Sequence, residues 1–254
     1  DAPPLVYVHG LTGTAHAFDG PARRFQSRYH IIATDVRGRG ESAWSPEGWY
    51  EMEDYVADLS EIVNGLGLGR FTLVGTSMGG VIAMAYAGAH PDRLERLVIN
   101  DIGPDVESGS YRISNQVAAT PAAFTSLAEV LEYLRQRFPA RANMSASEQE
   151  EQARYALKQE TDGNWVWKWD PELQRQRAAS STLTRPSLWP VLASLQCPTL
   201  VVWGMQSDVL SEAQSERMVK TLAHGRRVPV PGVGHAPSLL EPEAIKALDG
   251  FLAG

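Results

Sequence analysis

The sequence predicts an α/β protein: a mostly parallel sheet of about six strands flanked by helices, with a mainly helical insertion. Three observations lead there. Short β-branched runs alternate with longer amphipathic stretches. Most of those runs do not alternate polar with apolar, as in strands buried on both faces. The alternation lapses once, between about Val106 and Ser187, in a stretch rich in helix formers. The expected strands are Leu5 to Val8, Ile31 to Thr34, Phe71 to Val74, Leu97 to Asn100, Thr199 to Trp203 and Arg227 to Val230. Between them, Met52, Tyr55, Val56, Leu59, Ile62, Val63 and Leu66 make one apolar face of a helix over Glu51 to Leu66, with Gly67 as its stop. Gly80 to His90 is almost wholly apolar and predicts a buried helix ended by Pro91. Glu212 to Leu222 and Glu241 to Leu252 predict two more. Strand alternating with helix implies parallel strands joined by right-handed crossovers. The map therefore reads as core (1–106), cap (107–187) and core (188–254). In the cap, helices are expected over Ala122 to Phe138 and Ala146 to Glu160, and a short strand over Asn164 to Trp169 after the turn at Asp162-Gly163.

Composition narrows the function classes. Apolar residues make up 43% and charged residues 21% of 254, the mix of an ordinary globular protein. The net charge of −7 argues against nucleic acid, which requires a basic face. The longest apolar run, Val81 to Ala89, is about half a membrane span. Cys197 is the only cysteine, so neither an intrachain disulfide nor a cysteine-based metal site is available. One cysteine and no visible signal peptide point to the cytoplasm. The acidic cluster Glu148, Glu150 and Glu151 reads as a solvated helix face.

The strongest chemical signal is Gly75-Thr76-Ser77-Met78-Gly79-Gly80, between an apolar strand and a buried helix. G-x-S-x-G alone is a weak pattern, but in that context it is a nucleophile elbow. The sharp turn lifts the Ser77 hydroxyl clear of the sheet, and the glycines let strand and helix approach closely. A serine hydroxyl needs a base. Of six histidines, His235 stands in the glycine-rich loop Gly232 to Pro237 after the last strand, on the carboxyl rim that Ser77 shares. The base needs a carboxylate to fix its tautomer. Asp208 follows the strand Thr199 to Trp203, completes the order Ser77, Asp208, His235, and is the assigned acid. Asp101, after the preceding strand, is the rival. The oxyanion donors are expected to be the Met78 N–H and, from the loop His9 to Gly13, the Leu11 N–H.

These residues resemble the α/β-hydrolase superfamily, in its serine branch with a helical cap. The resemblance covers nearly the whole chain: His9-Gly10, the segment Asp35 to Ser42 (D-x-R-G-x-G-x-S), the elbow, the Asp208 loop and Gly234-His235. It implies an α/β-hydrolase fold, no metal or organic cofactor, and a bracing role for Asp35 and Arg37. Dehalogenases and epoxide hydrolases of this fold use aspartate at the elbow, so Ser77 argues against both. Carbon–carbon bond hydrolases keep serine, but usually have a tryptophan soon after the histidine, where this chain has Ala236-Pro237-Ser238-Leu239. The leading expectation is an esterase or lactonase acting on a small, mostly apolar substrate. A carbon–carbon bond hydrolase of a vinylogous diketone and a ligand receptor on a hydrolase scaffold remain alternatives.

Substrate contacts are expected from Trp165, Trp167, Val209 and Leu210. Trp165, Trp167 and Trp169 alternate, so one strand face would carry all three, either as a wall over the substrate or as a staple between cap and core. The resemblance further implies a pair of strands before Leu5 to Val8 that the sequence does not show, which would leave Ile31 to Thr34 as an exposed sheet edge.

Overall fold

The computed structural model describes residues 2–137, 144–179 and 186–253. Its frame is a six-stranded, all-parallel sheet made of β1 (Pro4–Val8), β2 (His30–Thr34), β3 (Phe71–Thr76), β4 (Leu94–Asn100), β8 (Thr199–Gly204) and β9 (Gly225–Val230), in the order β2-β1-β3-β4-β8-β9. All six expected strands are present. The nonalternating apolar runs are explained by burial on both faces. Val6, Val8, Leu73, Leu97, Ile99 and Val201 pack on one side, under α2 (Met52–Gly65), α3 (Met78–Ala89), α8 (Trp189–Ser194) and α9 (Glu212–Thr221). Leu5, Tyr7, Val74, Val98, Leu200 and Val202 pack on the other, under α1 (Asp19–Phe25) and α10 (Pro242–Ala253). β2 is an edge strand, with β1 as its one neighbour and no fully buried residue.

The segment between β4 and α8 builds a second small core. It holds α4 (Ser108–Ala118), β5 (Ala123–Phe124), α5 (Leu127–Arg137), α6 (Ala146–Ala156), β6 (Leu157–Gln159), β7 (Trp165–Trp167) and α7 (Pro171–Ala179). β7 lies between β5 and β6, antiparallel to both. Two predicted helices are shorter than their patterns. Ala122 to Phe138 begins with a strand pair at β5, and the helix starts only after Ser126, whose hydroxyl accepts the Glu129 N–H at 3.2 Å. Phe138 lies outside the described residues. Ala146 to Glu160 stops at Ala156, because Leu157–Gln159 is drawn into a hairpin with β7 across the Asp162-Gly163 turn.

The two parts are joined by specific bonds. The Tyr50 hydroxyl donates to Asp170, the Asp170 N–H donates to the Gly38 carbonyl at 2.8 Å, and Gln176 reaches the Gly48 carbonyl at 2.8 Å. Among the described residues, no helix is long and apolar enough to cross a membrane.

The tightest packing is where α3 crosses the sheet. A Cβ on Gly79 would overlap the Val8 carbonyl, and one on Gly75 would overlap the Gly79 backbone. Backbone cannot swing aside as a side-chain tip can. Gly79→Ala would gain up to about 1 kcal/mol of helix propensity, but forcing a methyl into closed backbone packing costs about 1–3 kcal/mol or more. The net expectation is a loss of unfolding free energy in urea titration, despite the better helix former.

Candidate active site

The site grows from the carboxyl ends of β3 and β4. In that pair Thr76 lies opposite Asn100, so Ser77 and Asp101 each stand one residue past a paired position on neighbouring strands. Ser77 has φ 54° and ψ −118°, a conformation that a side chain rarely adopts and that marks a strained turn. Its N–H donates to the Asn100 carbonyl at 2.9 Å, and its carbonyl accepts from Gly80 and Val81, which ties the turn to both the sheet and α3. The Asn100 side-chain amide donates to Thr76 Oγ1 at 3.0 Å and to the Pro237 carbonyl at 2.9 Å. Asn100 thereby pins the loop that follows β9 against the elbow.

That loop brings in His235. Its Nε2 lies 2.8 Å from Ser77 Oγ, and its Nδ1 lies 2.9 Å from Asp101 Oδ2. Asp101 is fully buried, with φ 56°. Its second carboxylate oxygen accepts the Gly204 N–H at 2.9 Å, and its own N–H donates to the Val202 carbonyl. The geometry is a hydroxyl beside an imidazole whose far nitrogen is held by an ionisable, doubly anchored carboxylate. With Nδ1 protonated, Nε2 is left as acceptor for the Ser77 proton.

Here the structure corrects the sequence expectation: the carboxylate on His235 is that of Asp101, not Asp208. Asp208 is 45% exposed and makes a bidentate pair with Arg112 of α4, at 2.6 and 2.7 Å. Arg112 holds the Asp208 carboxyl below the usual carboxylate range. The physical reason lies in strand order. β4 is the neighbour of β3, whereas β8 is one strand further out, and Asp208 lies four residues past the end of β8. The order serine, aspartate, histidine holds for either aspartate, so chain order could not separate them.

The loop that carries Leu11 runs beside the elbow, where a Cβ on Gly10 would stand 3.3 Å from Ser77 Cβ. Among the described residues, neither the Leu11 N–H nor the Met78 N–H donates to another protein group. Arg39 holds both residues from behind. Its Nε donates to the Leu11 carbonyl at 2.8 Å, Nη1 to the Arg37 carbonyl at 2.9 Å and the Tyr55 hydroxyl at 3.2 Å, and Nη2 lies 3.5 Å from Met78 Sδ. Arg39 is one of three variable residues in the D-x-R-G-x-G-x-S segment, and nothing in the sequence signals that it turns inward. Asp35 and Arg37 brace the surrounding loops. Asp35 accepts the Ala15 and Glu41 N–H groups, and Arg37 pairs bidentately with Asp58.

His9 locks the same loop. It is completely buried, and burial pushes its pKa down to about 4. The neutral ring donates from Nδ1 to the Gly10 carbonyl at 2.7 Å and accepts the Val36 N–H on Nε2 at 2.9 Å.

A crevice of about 10 Å³, room for about one water, adjoins the Leu11 loop and is lined by Leu11, Arg39, Val117 and Trp169, with Leu173, Gln174 and Arg177 of α7. The four residues expected to touch substrate do not line it. Trp165 and Trp167 are buried in the second core with Phe124, Val130 and Leu157, and Trp167 Nε1 donates to the Pro121 carbonyl at 2.8 Å. Only Trp169, which stacks on Trp167 with ring centroids 4.4 Å apart, reaches the crevice. Val209 and Leu210 are buried in the main core; an expected place beside the acid depends on Asp208 and lapses with it. A roomier cavity of about 540 Å³ lies between Thr34, Trp44, Trp49 and α2, beside the β2 edge, but Ser77, Asp101 and His235 do not line it. None of those three lines the crevice either, but Leu11 does. Among the described residues, no group of three histidine, cysteine or acidic side chains could hold a metal ion.

Comparison with known proteins agrees with this architecture. Residues 3–242 match a family model described as the alpha/beta hydrolase fold. A 3-hydroxybutyrate-oligomer hydrolase of Cupriavidus necator is 32% identical, over 98% of this chain and 88% of that protein. A 2-(acetamidomethylene)succinate hydrolase of Mesorhizobium japonicum is 28% identical over the same shares. The crystal structure of an alpha/beta hydrolase from Novosphingobium aromaticivorans superposes with a TM-score of 0.87 at 28% identity, covering 100% of this chain and 90% of that one.

The buried neutral His9 makes stability depend on pH. Its folded pKa lies below the 6.5 of an unperturbed histidine, so the unfolded chain takes up the proton first as pH falls. This contribution is fully present above pH 6.5 and is lost between about 6.5 and 4. The full change is at most about 3 kcal/mol, since each pH unit separating the folded from the unfolded pKa is worth about 1.4 kcal/mol. Urea titrations across that range should show the decline, and the variant His9→Gln should start less stable but decline less steeply.

Proposed function

Since the chain belongs to the α/β-hydrolase fold family and is a hydrolase, we propose that it is a serine hydrolase cleaving a carboxylic ester or lactone of a small substrate through an acyl-enzyme. The observation that carries this reading is the hydrogen-bonded line Ser77 Oγ, His235 Nε2, His235 Nδ1, Asp101 Oδ2.

The steps follow from that line. His235 takes the Ser77 proton as Oγ attacks the carbonyl carbon. The carbonyl oxygen gains negative charge and is met by the Leu11 and Met78 N–H groups, which have no other acceptor to give up among the described residues. Asp101 stabilises the imidazolium and keeps its ring oriented. His235 then returns the proton to the leaving alcohol oxygen. A water enters, loses its proton to His235 and attacks the acyl carbon, and collapse of the second intermediate frees the acid and restores Ser77. In this reading residues 107–187 form a cap over the site, and the Arg112–Asp208 pair helps fasten it to the core.

The esterase reading is supported by the names of relatives, which include esterases alongside the two hydrolases above. A carbon–carbon bond hydrolase would use the same serine, but no feature of the crevice favours it.

Ser77→Ala is expected to abolish turnover of short 4-nitrophenyl esters and stoichiometric labelling by a fluorophosphonate; an unchanged rate would falsify the assignment. The two aspartates give a sharper test. Asp101→Asn should lower kcat by about 10⁴ by leaving the imidazole in the wrong tautomer. Asp208→Asn should stay within a few-fold of wild type, since an exposed pair is worth about 0–1 kcal/mol. Steady-state kinetics on purified, folded variants decides, and the reverse order of effects would restore Asp208 as the acid.

A further inference from the structure

Two guanidinium groups beside the proposed oxyanion donors lack a counter-charge. Arg39 is 1% exposed, yet its partners are two carbonyls, a hydroxyl and a thioether; no carboxylate pairs with it among the described residues. Arg177, in the last turn of α7, lines the same crevice and has no hydrogen-bond or ion-pair partner among the described residues. Burial lowers its pKa, Arg39 repels it, and only Tyr55 and Glu51 favour its charge, both through space. A guanidinium taken from water without an anion is costly, and two facing one crevice are more so. Among the described residues the remaining lining offers no negative charge: Leu11, Val117, Trp169 and Leu173 are apolar, and the Gln174 amide is spent on the Ala118 and Thr120 carbonyls.

A planar guanidinium with free N–H groups fits a carboxylate. Arg39 has four of its five N–H groups engaged, so it contributes chiefly charge, whereas Arg177 has donors to give. The position of the crevice indicates which part of a substrate would reach it. His235 must face the leaving oxygen, and neither His235 nor its loop lines the crevice. The crevice instead touches Leu11, on the donor side. We propose that Arg177, part-exposed at the edge of this water-sized crevice and backed by the charge of Arg39, binds the carboxylate end of the acyl part of the substrate. The chain is then selective for esters whose acyl group ends in a carboxylate, such as half-esters of short dicarboxylic acids. This inference rests on the reading of Ser77 as the acylated nucleophile.

The test compares a charged and a neutral ester of one acyl length: 4-nitrophenyl hydrogen glutarate against 4-nitrophenyl methyl glutarate, with spontaneous hydrolysis subtracted. Wild type should favour the half-ester in kcat/KM by about ten-fold or more, the range of a charge-assisted hydrogen bond. In Arg177→Gln the ratio should fall toward one, chiefly through KM, and Arg177→Lys should restore part of it. A wild-type ratio of one or less overturns the proposal whatever the variants do. A second arm needs no turnover: glutarate is titrated into Ser77→Ala protein by calorimetry, with and without Arg177→Gln. Binding that the added substitution weakens at least about ten-fold supports the site, and equal or absent binding overturns it. Glutarate binding without hydrolysis of either ester would sink the hydrolase reading and leave the anion site standing. Hydrolysis without preference or binding would do the reverse.

Discussion

The Ser77 turn is the feature around which the other parts of the site are arranged. A serine at positive φ is strained, and it persists only where its surroundings leave the backbone no alternative. Here β3 enters and α3 leaves with no room for a Cβ at Gly75 or Gly79, and the Ser77 N–H is bonded to the Asn100 carbonyl of the next strand. Close approach of helix and sheet thus fixes the turn, and the turn fixes where Oγ stands. The cost is spread over a helix that is apolar nearly all round and a sheet covered on both faces.

Around that point the polar groups form a buried network rather than a set of separate contacts. Asp101 accepts from both His235 and Gly204; Asn100 bonds Thr76 and the Pro237 carbonyl; Gly204 in turn packs against the backbone of the histidine loop. Three strand ends and one loop are therefore mutually dependent. Asn100 Oδ1 is buried without a partner among the described residues, but the donors paired in this way hold one geometry, because displacement would leave them desolvated and unpaired. The donor loop is held by a second set: His9 from below and Arg39 from behind. Arg39 also places a positive charge near the region where negative charge would develop, in surroundings that screen it poorly.

The segment between β4 and α8 has a core of its own and meets the rest through polar ties, through Ile113, Trp169 and Leu173 on the main core, and through the stack of Tyr155 on His16. Trp167 belongs to that core, Trp169 packs against both, and the difference between them is two residues of chain. The tryptophan repeat therefore reads as packing first, and the surface next to the donor loop is shaped by α7 and by Trp169.

Residue order alone was enough to establish the sheet, the elbow and the histidine. Burial on both faces leaves unbroken apolar runs, a strand-to-helix reversal this tight demands glycine at fixed offsets, and a loop after the last strand of a parallel sheet must emerge on the same rim as Ser77. Each of these is a local rule or a consequence of strand direction. Which carboxylate meets His235 could be read only in the folded chain, because Asp101 and Asp208 both follow a strand and both fit the order, and the lateral position of β4 beside β3 is what brings Asp101 to His235. Folding likewise turns Arg39 inward and brings Arg177 to it from α7, more than 130 residues later in the chain. Such meetings depend on how separately coded elements stack, and charge on a side chain says nothing in advance about which neighbour will stand beside it.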